Sequence, residues 1–206
     1  MFTNDTLYWI LFAIPSILVA STIHEYSHGL AAFKLGDPTA KAEGRLTLNP
    51  LSHIDPLGAL SMVIFRFGWS KPVPINERNF DNRELGTAIT ALAGPISNLL
   101  LASLVALINF LLKPNPTSII GNLILTFAVI NLALAFFNLI PVPPLDGHKI
   151  VRAILPRKLR YQWERLEKFS IILIILLVFP ILPSGSIAST YISTVIIKTL
   201  DLLGFF

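Results

Sequence analysis

LYWILFAIPSILVASTIHEYSHGLAAF, residues 7–33, is an apolar run with no Lys, Arg or Asp and a single Glu, Glu25. As a helix rising 1.5 Å per residue it spans roughly 40 Å, enough to cross the ~30 Å of a bilayer's hydrocarbon. Inside it lies His24-Glu25-Tyr26-Ser27-His28, an HExxH pattern. Residues four apart share a helix face, so His24 and His28 can offer two imidazoles to one metal ion. Glu25, next to the first of them, can act on a water as general base. A carboxylate inside a membrane-length helix costs about 2.5–3.5 kcal/mol on insertion scales, so by default it is there for function. The blander alternative is a polar seam between helices.

The wider composition agrees. Of 206 residues 53% are hydrophobic and only 14% charged, with a mean hydropathy of +0.69. That balance belongs to a membrane protein rather than a soluble domain. With no cysteine, disulfides, thiolate metal sites and a cysteine nucleophile are excluded, and any metal must bind through histidine and carboxylate. The net charge of +4 does not point to nucleic acid, because its distribution follows membrane topology. No cleavable signal peptide is expected, since Met1–Thr6 lacks a basic region and the run behind it carries the motif.

Pro15 is expected to kink this first span, and Gly36-Asp37-Pro38 to end it. Residues 39–49, TAKAEGRLTLN, alternate in part and predict short strands. The run 57–67 is apolar but too short to span, and reads as a strand or a membrane-dipping segment. A second span is expected over 86–112, with Pro95 and Asn98 as unusual guests at that depth. A third covers about 119–139 and runs into Pro141-Val142-Pro143-Pro144-Leu145-Asp146-Gly147, which the prolines should hold extended. A fourth span is expected at about 169–182. Residues 187–206, interrupted by Lys198 and Asp201, form a fifth span or an interfacial helix. The expected fold is therefore a single-domain (1–206), all-α polytopic membrane protein of four to five spanning helices, with a small β-containing loop region on the cytoplasmic side.

Orientation follows from the basic residues. Of the 16 Lys and Arg, all but Lys113 and Lys198 lie in loops 34–86 and 141–168, which should therefore be cytoplasmic. The ends of the first and third spans then meet at one face, and HEYSH and Asp146 are neighbours in depth.

A catalytic zinc takes three protein ligands and keeps one open position. Beyond His24 and His28 the candidates for the third are His53, Asp55, Asp146 and His148. Asp146 is favoured by its depth and its proline-stiffened approach, with Gly147 permitting a tight turn. His148 is a ligand, a partner of Asp146, or merely interfacial. His53 and Asp55 read as turn residues.

HEYSHG, GRLTLNPLSHIDPLG, ALAGPISN and NLIPVPPLDG, in this order over roughly residues 20–155, resemble the site-2 protease family of intramembrane zinc metalloproteases. The resemblance implies that His24, His28 and Asp146 bind one zinc ion per chain, that Glu25 is the base, and that Asn98 contacts the substrate backbone or oxyanion. A helix-to-helix hydrogen bond is the alternative for Asn98. The expected activity is hydrolysis of peptide bonds in or near transmembrane segments, in the cell membrane and close to its cytoplasmic face. The partners would be a membrane-protein helix and the bilayer, with no nucleic acid. An edge strand in 39–67 could capture an unwound substrate. Relatives with an added span, a PDZ insertion or a nucleotide-sensing domain are more elaborate, so a minimal core is expected here. The alternatives are an inactive scaffold that binds membrane segments and, further off, an ion transporter.

Overall fold

The computed structural model describes residues 7–65, 68–180 and 185–206. Three helices in it are long and apolar enough to cross a membrane. The first, α1 (Ile14–Lys34), is entered through a π-helical turn, Trp9–Ala13. Pro15 sits at that junction, where the helix passes from π-helical to α-helical hydrogen bonding. Short α2 (Thr39–Ala42) and α3 (Pro56–Phe65) follow in the long connection. The second long helix, α4 (Arg83–Leu112), starts on an Asn82 side chain that accepts from the Leu85 amide at 3.0 Å. It ends at Lys113 in the left-handed region, with φ 43°. The third, α5 (Ile119–Asn138), is capped by Ser118, whose Oγ accepts from the Gly121 amide. After it come α6 (Asp146–Ile154), α7 (Arg157–Glu164), α8 (Ser170–Val178) and α9 (Ile187–Leu202).

Helix α4 is the centre of the bundle and packs against α1, α5 and α6. Its buried face is spaced by fours: Gly86, Thr90, Gly94, Asn98, Ala102 and Ala106. Its bulky residues Leu100, Leu104, Leu107 and Leu111 face outward, more than half exposed. A water-soluble helix sorts its residues the other way. Small residues inside let backbones approach, and large apolar ones outside suit hydrocarbon. The molecule is thus built as a membrane protein. Ala102, Ala128, Leu132, Ile196 and Leu200 form the main apolar cluster, which brings α9 onto α5.

The helix directions follow from cross-links. His28 meets Thr90 while His24 and Ala20 meet Asn98, so α1 and α4 are antiparallel. The short turn after Lys113 reverses the chain again, so α1 and α5 run parallel. The connections after α1 and after α5 therefore share one end of the bundle, as the basic residues predict.

Several expectations change. The described residues contain no sheet, only an isolated antiparallel bridge between Ile54 and Ser70. Residues 39–42 are helical because the Asp37 carboxylate accepts from the Thr39 amide at 3.1 Å and turns the chain at its start. The 57–67 run belongs to α3, apart from 66–67, which lie outside the described residues. Its start signal is Asp55, whose side chain accepts from the Gly58 amide at 2.8 Å, followed by proline at the first helical position. Without an edge strand, capture by strand addition in 39–67 loses its element. The Pro141–Pro144 region forms successive turns rather than an extended run, with Val142 N bonded to Ile140 O and Leu145 N to Val142 O. The expected fourth span is a nine-residue helix, α8, about 14 Å long and too short to cross alone; residues 181–182 of that expectation lie outside the described residues.

Candidate metal centre

His24 and His28 project from α1 toward α4, with ring centroids 4.6 Å apart and planes nearly perpendicular. Each ring is held at Nδ1. His28 Nδ1 donates to the Thr90 carbonyl at 2.7 Å, and His24 Nδ1 to Asn98 Oδ1 at 2.6 Å. The orientation of the Asn98 amide is set by its network. Its Nδ2 donates to Ala20 O at 3.1 Å and to Asn131 Oδ1 at 2.9 Å, while Asn131 Nδ2 donates to Phe127 O. With both Nδ1 atoms engaged as donors, the two Nε2 atoms face the same point, and a neutral ring offers a metal its lone pair there.

Asp146 closes the site. As the first residue of α6 it brings Oδ2 to 3.2 Å from His24 Nε2 and 3.1 Å from His28 Nε2, and the two Nε2 atoms are 3.0 Å apart. All three side chains are buried. Asp146 Oδ2 has no hydrogen-bond partner. Three inward lone pairs at these separations repel one another unless a cation lies among them. Ligands of a tetrahedral zinc with bonds of about 2.0–2.1 Å are roughly 3.3–3.4 Å apart, a few tenths wider than the triangle here. This donor set of two imidazoles and a carboxylate fits zinc. Among the described residues it is the group of three or more such side chains close enough to share a metal ion.

Two glycines make the approach possible. A Cβ on Gly94 would lie 2.4 Å from His28 Nε2 and 2.6 Å from His24 Nε2, so the imidazoles rest on bare backbone. A Cβ on Gly147 would meet the carbonyl oxygens of Leu139 and Ile140 at 2.3 and 2.5 Å. Gly147 is thus needed for close approach to the end of α5, not for the tight turn the sequence suggests.

Glu25, beside His24 on α1, is hydrogen-bonded by the loop segment 68–76. Its Oε1 accepts from Ser70 Oγ at 2.7 Å and its Oε2 from the Val73 amide at 2.9 Å. The remaining candidates lie elsewhere. His53 is buried, with Nε2 bonded to the Thr47 carbonyl at 2.8 Å, and Asp55 caps α3. His148 stacks on Trp163 at 5.2 Å, and Trp163 Nε1 donates to the His148 carbonyl. Lys149 Nζ lies 3.7 Å from Asp146 Oδ1. Sequence reasoning missed Thr90, Gly94, Asn131, Ser70 and the Val73 amide. The first two were findable: Thr90, Gly94 and Asn98 repeat every four residues, matching the four-residue step from His24 to His28 on an antiparallel neighbour.

Two imidazoles and a carboxylate converging inside an apolar helical bundle define a class, the membrane-embedded metalloenzymes. Residues 114–181 match Peptidase family M50. The chain is 36% identical over 191 residues to "Putative zinc metalloprotease YwhC" of Bacillus subtilis, covering 87% of this chain and 86% of that protein. Rip2 of Mycolicibacterium smegmatis, with the same description, is 28% identical over 187 residues, 84% of this chain and 68% of its own length. The zinc metalloprotease MJ0392 of Methanocaldococcus jannaschii is 28% identical over 159 residues, 77% of this chain but 38% of its own. No solved structure matches. The chain belongs to peptidase family M50, the site-2 protease family, and is a zinc metalloprotease.

Proposed function

We propose that this enzyme hydrolyses peptide bonds within or near transmembrane segments of other membrane proteins, with zinc held by His24, His28 and Asp146 and Glu25 as general base. The observation carrying this reading is the triangle of buried lone pairs, 3.0–3.2 Å on a side, built on helices apolar enough to cross a membrane. Zinc bound there supplies Lewis-acid chemistry, acidifying water and polarising a carbonyl.

The chain's own residues do the rest. Thr90 O and Asn98 Oδ1 hold the imidazoles with their Nδ1 protons outward, which reserves both Nε2 lone pairs for the metal. Glu25 takes the proton of the attacking water and passes it to the leaving amine. Asn98 has both amide protons committed to Ala20 and Asn131. Its role in this reading is to orient His24, in place of the substrate contact that the family resemblance implies. We take α1, α4 and α5 as the spans. The basic loops at the shared end of α1 and α5 support a cytoplasmic placement of that end, with the site near it. The bulky outward face of the bundle supports the bilayer as surroundings and a substrate helix arriving through it.

The test is cleavage of a synthetic membrane-spanning peptide by purified protein, with zinc measured on the same samples. Glu25→Gln is expected to keep its zinc and fall to a small residual rate of cleavage, and normal turnover by the folded variant would refute the base. Asp146→Asn is expected to lose both zinc and cleavage. Full zinc content in that variant would remove Asp146 from the ligand set.

A further inference from the structure

Segment 68–76 crosses the HEYSH end of α1 as an extended strap and is the source of both hydrogen bonds to Glu25. It is anchored independently at several points. Lys71 N donates to His53 O at 2.9 Å, and Arg45 Nη2 donates to the carbonyls of Lys71 and Pro72 at 2.9 and 3.2 Å. Asn76 N donates to Asp37 Oδ2 at 2.7 Å. The Val73 side chain is buried over Gly29, where a Cβ would lie 3.1 Å from Val73 Cγ1. At the near end, a Cβ on Gly58 would lie 2.1 Å from the Trp69 carbonyl oxygen, so α3 and the strap touch backbone to backbone.

We infer that this strap is part of the catalytic machinery, and that Ser70 and the Val73 amide are the positioning groups that aim Glu25 during proton transfer. This rests on the reading of Glu25 as base. A buried carboxylate has about four lone-pair directions, and two donors fix its plane while leaving a direction on each oxygen free for a proton. Pro72 and Pro74 cannot donate, so the Val73 N–H is the one amide donor in Pro72-Val73-Pro74 and the register of the strap on Glu25 has no neighbouring alternative. The Ser70 hydroxyl supplies the second point. With the bond to Cγ as the third, these two points define the orientation of the planar group, and a base set wrongly by an ångström loses on the order of 10²-fold in rate.

The experiment is a double-mutant cycle with cleavage of the membrane-spanning peptide as readout and zinc content as control. Ser70→Ala is expected to lower kcat about tenfold with KM and zinc content unchanged, and Ser70→Thr to restore most of the rate. In the Glu25→Gln background, Ser70→Ala is expected to take nothing further from the residual rate, because the group it positions is gone. A merely structural serine would subtract the same factor in both backgrounds, and that result overturns the inference. So does wild-type kcat in Ser70→Ala. Normal turnover by Glu25→Gln alone would instead refute the base itself, so the two failures are separable.

Discussion

Gly94 is where the metal centre is tightest, because the missing side chain is the space that both imidazoles occupy. Gly94→Ala puts a methyl group within 2.4 Å of His28 Nε2 and 2.6 Å of His24 Nε2, and the buried rings cannot retreat without giving up Thr90 O or Asn98 Oδ1. Zinc content of the purified variant is expected to fall sharply with the helical content of the protein unchanged. Full zinc occupancy would mean that the rings have another resting place. Asn98→Ala is milder. It frees His24 to rotate and removes the Asn98 donor from Asn131 Oδ1 and from Ala20 O. The expected loss of zinc affinity is about 10–100-fold, typical of removing a group that orients a metal-binding histidine. A competition titration with a chelator checks it.

At the scale of elements, one buried carboxylate ties together the two ends of the connection between α1 and α4. Asp37 accepts from Thr39 N, Thr39 Oγ1, Asn76 N and Asn79 Nδ2, joining the end of α1 to the far end of the strap. Burial pushes its pKa up, but hydrogen bonds from Thr39, Asn76 and Asn79 outweigh this and hold it below the usual carboxylate range. A depressed folded-state pKa means stability that is fully present above the unfolded value of about 3.9 and lost as pH falls through the folded value. Asp37→Asn is expected to destabilise the protein at neutral pH by on the order of 2–3 kcal/mol, since the amide returns a donor to where only acceptors are wanted. Thermal unfolding in detergent is expected to show that the difference between wild type and variant shrinks below pH 4. A constant difference down to the lowest accessible pH would dismiss the linkage. The same region shows why some local structure was not legible in the sequence. Ala40, Ala42, Leu46 and Leu48 alternate as a strand would, but Asp37 at the start of α2 outweighs the pattern at 39–42, and its bonds to Asn76 and Asn79 depend on how the chain folds back. Asp55-Pro56 was legible as a helix start and was read as a turn.

For the whole molecule, the three long helices and their common end were legible because bilayer thickness sets helix length and the basic residues cluster in two loops. His24, His28 and Asp146 were legible too, two from spacing and the third from its depth. What closes the site was not: Ser70 and Val73 reach Glu25 across 45 and 48 positions of sequence, through a loop with no periodicity. The count of helices also exceeded what pattern could fix, since α8 is apolar after Ser170 yet only nine residues long. Single cysteines tested for modification from either side of sealed membranes address the arrangement, and the native chain has no cysteine to interfere. Arg78→Cys and Lys158→Cys, both exposed, are expected to react from the cytoplasmic side and Pro116→Cys from the other. Opposite-side labelling of 78 and 158 would separate α1's end from α6 and undo the metal centre.

The alternation of proline, valine and proline in the strap has a consequence for watching the enzyme at rest. Between Lys71 and Ile75 there is one exchangeable backbone proton, and it is the one donated to Glu25. Its replacement by deuterium requires the bond to Oε2 to break, so its rate reads out how often the carboxylate is uncovered, undiluted by neighbouring amides. One backbone amide in a chain of 206 residues would thus act as a clock for the site.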